Sequence, residues 1–180
     1  MSPAAAPLVR IPVGVVVERR KAASQWIDFT WHPVGVLPDE PDVAPWTPLR
    51  EDGETKSFYA GSATVDLYRS ETARYRENLL NGAPGVWVAL SPSEGEHPYV
   101  VAVVTVDPAE GEGYTETAAY IVEQVPMPEV VREAVERFVD EHYVGEAFVK
   151  RKQKPADPEA LAQRGPAAGS AKDRTRDRKR

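Results

Sequence analysis

Six β-type segments precede the one long amphipathic helix of this chain, and that order restricts the fold more than any single motif does. Ile11–Val17 (IPVGVVV) is β-branched and almost wholly apolar, the pattern of a buried strand. Phe29–Leu37 (FTWHPVGVL) reads as a second strand interrupted at Pro33. Lys56–Tyr68 alternates apolar and polar residues, a third strand kinked near Gly61. Gly85–Leu90 and Tyr99–Val106, joined by SPSEGEH, make a hairpin, and Ala118–Val125 is the last strand. Between them, Ser24–Asp28 reads as a helical turn and Pro38–Pro48 as an extended loop. Glu71–Asn81 reads as a short helix, and Pro108–Gly113 as a turn or a single helical turn. Pro126-Met127-Pro128 then introduces the helix, with proline at a first position that needs no hydrogen bond. Val131, Ala134, Val135, Phe138, Val139 and His142 share one face, and Gly145 is the expected stop. The expected fold is α+β: a mostly antiparallel sheet curled into a partial barrel or sandwich, closed by one C-terminal amphipathic helix. The alternating βαβ order of a doubly wound nucleotide fold is missing.

Charge divides the chain. Residues 150–180 hold eleven Lys/Arg and four Asp/Glu, a net +7, while the whole chain of 180 residues is −6. Residues 1–149 therefore carry −13. The basic stretch contains no aromatic, Val or Ile, so its burial cannot offset an ordering cost of about 1–2 kcal/mol per residue. The expected organisation is a disordered N-terminus (1–9), one globular domain (10–149) and a disordered basic tail (150–180).

Much chemistry is excluded by what is missing. Without cysteine there is no disulfide, thiolate metal site or thiol nucleophile. His32, His97 and His142 stand far apart, with no HExxH, and neither GxSxG nor GxxxxGK[ST] occurs. No catalytic residue, metal site or cofactor is expected. The apolar runs are too short to span a bilayer and no signal peptide is evident, so a cytoplasmic location away from membranes is expected.

Four features rise above this background. Glu18-Arg19-Arg20 ends a buried strand; it reads as a strand running into solvent or as a clamp for a partner's carboxylates, which guanidinium binds in a bidentate fork. Of the tryptophans Trp26, Trp31, Trp46 and Trp87, Trp46 in the proline-rich loop reads as core packing or as an exposed anchor for a partner. Glu71, Tyr75 and Asn78 share a face of the short helix, either a salt-bridged surface or a recognition face. Lys150, Arg151 and Lys152, with the basic run Lys172–Arg180, read as a solubilising tail or as a contact for an acidic protein. The acidic body and the lack of interleaved aromatics argue against nucleic acid.

The block Val13-Gly14-Val15-Val16-Val17-Glu18-Arg19-Arg20, with Trp26, Trp31 and Val36-Leu37-Pro38, resembles a proteobacterial domain-of-unknown-function family. So do Glu71-Thr72, Tyr75, Asn78-Leu79, Val104-Thr105-Val106, Ile121–Pro128 (IVEQVPMP), Phe138-Val139-Asp140, Phe148 and the basic run from Lys150. Members of that family are encoded beside formate dehydrogenase and molybdenum-cofactor genes, and some carry the label molybdopterin-guanine dinucleotide biosynthesis protein A. That label implies a Gly-rich nucleotide loop of the form LAGGxSxRMGxDK. Ile11–Arg20 has one glycine and departs from it. What the resemblance implies is an accessory or adaptor protein in formate dehydrogenase or molybdenum-cofactor maturation, with a formate dehydrogenase subunit or a maturation factor as partner. The alternative is a small enzyme or carrier for a molybdopterin-type or nucleotide ligand, which would need Arg19, Arg20 and Arg50 to converge on one cleft.

Overall fold

The computed structural model describes residues 6–145. Its elements are β1 (Val9–Lys21), β2 (Phe29–Pro38), β3 (Thr47–Asp52), β4 (Thr55–Leu67), α1 (Thr72–Leu80), β5 (Gly85–Pro92), β6 (Tyr99–Thr105), α2 (Pro108–Thr115), β7 (Ile121–Pro126) and α3 (Glu129–His142). They form an α+β fold with two antiparallel sheets, in the orders β2-β1-β4-β3 and β6-β5-β7. Among the described residues there is no closed barrel: β2 lies near β7 and β4 near β6, but neither pair forms a ladder.

The alternation of β1 organises the interior. Val13, Val15 and Val17 are completely buried against Val65 and Leu67 of β4 and Val86, Val88 and Leu90 of β5. Pairing to β2 and β4 is irregular, yet the unmatched residues are Val34 and Ala60 on the partner strands. β1 therefore keeps strict period two from Val13 to Lys21. On its opposite face, Gly14 lies beneath the proline-rich segment. A Cβ there would stand 2.9 Å from the Tyr59 ring and 3.0 Å from Pro41. That segment is thus packed on the sheet. Its last part pairs with β4 as β3, which the sequence reading missed.

Helices differ from expectation in number. Glu71–Asn81 does contain a helix, α1, and Pro108–Gly113 lies in a second, α2, capped by Asp107, whose Oδ1 accepts from the Ala109 amide at 2.9 Å. No helical turn forms at Ser24–Asp28. In α3, Val131, Val135, Phe138 and Val139 are buried at 3–4 spacing. The helix ends at His142, three residues before Gly145, because Tyr143 is already extended.

Candidate interaction surface

At the far end of β1 the same alternation divides the Glu18-Arg19-Arg20 run between the two faces of its sheet. Arg19 continues the core face, opposite Trp31 of β2 and Lys56 of β4. Its guanidinium lies 4.2 Å from the Phe29 ring centre and 5.9 Å from that of Phe58. A cation this close to a ring is attracted by its π face. Its Nε is buried and has no hydrogen-bond partner among the described residues. An unsatisfied buried donor costs about 1–3 kcal/mol.

Glu18 and Arg20 point the other way, and they meet β3 through β4. Arg20 binds Glu18 at 2.8 Å and Arg50 binds Asp52 at 3.0 Å. Glu18, Arg50, Asp52, Thr55 and Ser57 line a shallow cleft of about 290 Å³. Arg20 and Arg50 each already hold a carboxylate and Arg19 is on the opposite face, so the three arginines do not form a phosphate cradle.

β1 and β2 are joined by a loop pinned at its base, where the Ala22 amide donates to the Asp28 carbonyl at 2.9 Å. Its tip exposes Trp26 at 84%, Ile27 at 53% and, at the start of β2, Phe29 at 42%. An isolated exposed apolar side chain is ordinary, but three in four consecutive residues beside an arginine make this tip the candidate surface. Trp26 is one of the four tryptophans the sequence singles out, but it is for Trp46 that the sequence offers core packing or an exposed anchor.

Of these two readings the structure shows core packing, and the exposed anchor is corrected. Trp46 is only 8% exposed. It meets Trp31 edge-on at 5.5 Å, Phe58 at 5.9 Å and stacks on His97 at 5.4 Å. Its amide donates to the Tyr59 carbonyl. Trp46 holds a left-handed backbone (φ +67°), which costs a bulky residue about 1–3 kcal/mol, and the packing offsets it.

The proposed recognition face of α1 also faces the interior. Tyr75 is 1% exposed and Asn78 is buried. Asn78 Nδ2 donates to the carbonyls of Gly85 (2.8 Å) and Val106 (2.9 Å), and its Oδ1 accepts from the Gly85 amide (3.0 Å). One side chain thus joins α1, the start of β5 and the residue after β6. Glu71 pairs with Arg74, whose Nε also reaches Asp107 Oδ2 at 2.8 Å. These residues hold α1 and α2 together; they do not form a free surface. Lys150, Arg151 and Lys152 lie outside the described residues.

Burial pushes the Tyr75 phenol up to about 12, against the hydrogen bond its oxygen accepts from the Tyr68 amide, with the Asp107 carboxylate adding to the rise. The unfolded chain ionises this group near 10. Above that pH the unfolded state loses the proton first. Stability is therefore complete below about pH 10 and falls by roughly 2–3 kcal/mol by about pH 12. In Tyr75→Phe this alkaline decline should flatten, which urea titrations across that range would measure.

A second concavity, of about 700 Å³, lies between α1 and α2 over Trp87 of β5, with Arg76, Glu77, Glu112 and Gln124 on its walls. The histidines stay apart: His32 binds Thr30 at 3.0 Å, His97 stacks on Trp46 and His142 meets the Phe138 edge. Among the described residues no helix is long and apolar enough to cross a membrane.

No curated protein and no solved structure matches the chain. The model of the family described as Protein of unknown function (DUF3305) matches residues 12–152, a range that takes in both sheets except the first three residues of β1, together with α1, α2, α3 and the hairpin tip. On that extent of match, the chain belongs to the DUF3305 family.

Proposed function

We propose that this protein is a non-catalytic adaptor that binds another protein through the β1–β2 hairpin tip. The observation that carries this reading is the solvent exposure of Trp26 beside Ile27 and Phe29 on a loop pinned at its base. Tryptophan has a large contact area and few rotatable bonds, so it gains much binding energy for little lost entropy. The resemblance noted in the sequence supplies the setting: the partner is a formate dehydrogenase subunit or a maturation factor of that enzyme or its molybdenum cofactor, met in the cytoplasm.

The test is affinity capture of the tagged full-length chain from cells growing with formate, beside Trp26→Ala. Trp26 makes few contacts within its own fold, so its melting temperature should stay within about 1–2 °C of the parent, as for a surface change under ~0.5 kcal/mol. Co-purification of a formate dehydrogenase component should drop about tenfold or more, the scale of a lost tryptophan anchor. Equal capture by both proteins would remove the hairpin tip from the interface.

A further inference from the structure

The cations around the hairpin tip are nearly all neutralised locally. Arg20 holds Glu18 at 2.8 Å, Lys21 holds Glu54 at 2.8 Å, Arg50 holds Asp52 at 3.0 Å and Lys56 holds Glu51 at 3.4 Å. Arg19 is the exception. Among the described residues no carboxylate lies within ion-pair distance of it, and its buried Nε has no acceptor. The guanidinium carbon lies 4.2 Å from the ring centre of Phe29, one of the three exposed apolar side chains of the tip. A cation–π contact uses none of the N–H donors of a guanidinium, whose fork is then able to bind an anion.

We infer that Arg19 is the specificity-determining residue of the hairpin tip and takes an aspartate or glutamate side chain of a partner segment whose adjoining apolar residue packs on Trp26 and Ile27. This inference rests on the adaptor reading above and adds the chemistry of the partner. Charge selects carboxylate over phosphate. Glu18, Glu51 and Glu54 are already held by Arg20, Lys56 and Lys21, so Arg19 stands as one uncompensated positive charge: a single carboxylate neutralises it, whereas a phosphate near −2 leaves excess negative charge at the interface. An apolar segment without an acid would leave the arginine as it is, unpaired against the newly buried interface.

The probe is a library of random short peptides displayed on phage and selected on the full-length protein. Selected sequences should carry Asp or Glu next to a large apolar residue. One selected peptide is then made with its acid, with the matching amide and with phosphoserine in that place, and titrated against the parent, Arg19→Gln, Arg19→Lys and Trp26→Ala. The acid peptide should bind the parent about tenfold or more tightly than the amide peptide, and Arg19→Gln should bind both equally weakly. Arg19→Lys, which keeps the charge and loses the fork, should fall between, with a melting temperature that certifies its fold.

If Trp26→Ala abolishes binding while the selected peptides lack acids and ignore Arg19→Gln, the carboxylate assignment is overturned and the hairpin reading stands. Peptides insensitive to both Arg19→Gln and Trp26→Ala overturn both. Tighter binding of the phosphoserine form overturns the carboxylate assignment in favour of a phosphorylated partner. Self-association of the protein that Trp26→Ala disperses overturns it in favour of a second copy.

Discussion

Asn78→Ala should lose about 3–5 kcal/mol of stability, because one deletion orphans three buried backbone groups. The Gly85 amide, the Gly85 carbonyl and the Val106 carbonyl all lose their partner together. Asn78 is itself buried, so water does not replace the amide without opening the structure. Asn78→Asp is a sharper comparison. Its carboxylate still accepts from the Gly85 amide, but its second oxygen faces two carbonyls it cannot donate to. It should lose at least as much at neutral pH and recover part of the loss in acid, where a protonated carboxyl donates again. Urea unfolding measures both, with unchanged denaturant slope as the sign that stability alone has moved. A loss below about 1 kcal/mol for Asn78→Ala, the worth of one ordinary hydrogen bond, would mean that the three bonds do not act together.

Phe138→Ala should cost about 3–5 kcal/mol through the cavity it leaves. The ring is 2% exposed and lies between Tyr75 of α1, at 6.2 Å, and His142 one turn on, at 4.6 Å. Val131 and Val135 on the same face are fully buried, so the neighbours have little freedom to fill the space. Calorimetric or urea-induced unfolding reads the change. A value under roughly 1 kcal/mol, small on the large-to-small scale, would show that the site collapses around the missing ring.

What the sequence reveals and what it conceals follow the range of the interactions concerned. The core face of α3 is legible because Val131, Val135, Phe138 and Val139 repeat at 3–4 spacing within one helix. The opposite faces of Arg19 and Arg20 were equally available from period two in β1, had that count been carried past Val17. Strand β3 was concealed by Pro48, although Asp52-Gly53 after it, with Gly53 at φ +58°, marks the turn into β4. The choice between core packing and exposed anchor at Trp46 is not legible locally, because its burial depends on Trp31, Phe58 and His97, which approach from three other parts of the chain. Asn78 shows the same limit: on its own helix it is one more polar residue, and only the arrival of Gly85 and Val106 makes it a joint.

Strand β6 is an edge. Its sequence, YVVAVVT, is uncharged and free of proline, and among the described residues it pairs with β5 alone. Nearby β4 lends it cover, and Asp66 of β4 and Glu110 of α2 bring carboxylates to the lining of the cleft of about 340 Å³ between the two strands. A bare edge of this composition is a template for growth by further strands, and flanking charge is a common guard against that. The guard depends on β4 and α2 staying in place. Any change that loosens Asn78, and with it the α1–β5–β6 joint, frees seven β-forming residues at once. Destabilised forms of this protein should therefore leave solution as cross-β aggregates seeded at Tyr99–Thr105 before they are fully unfolded.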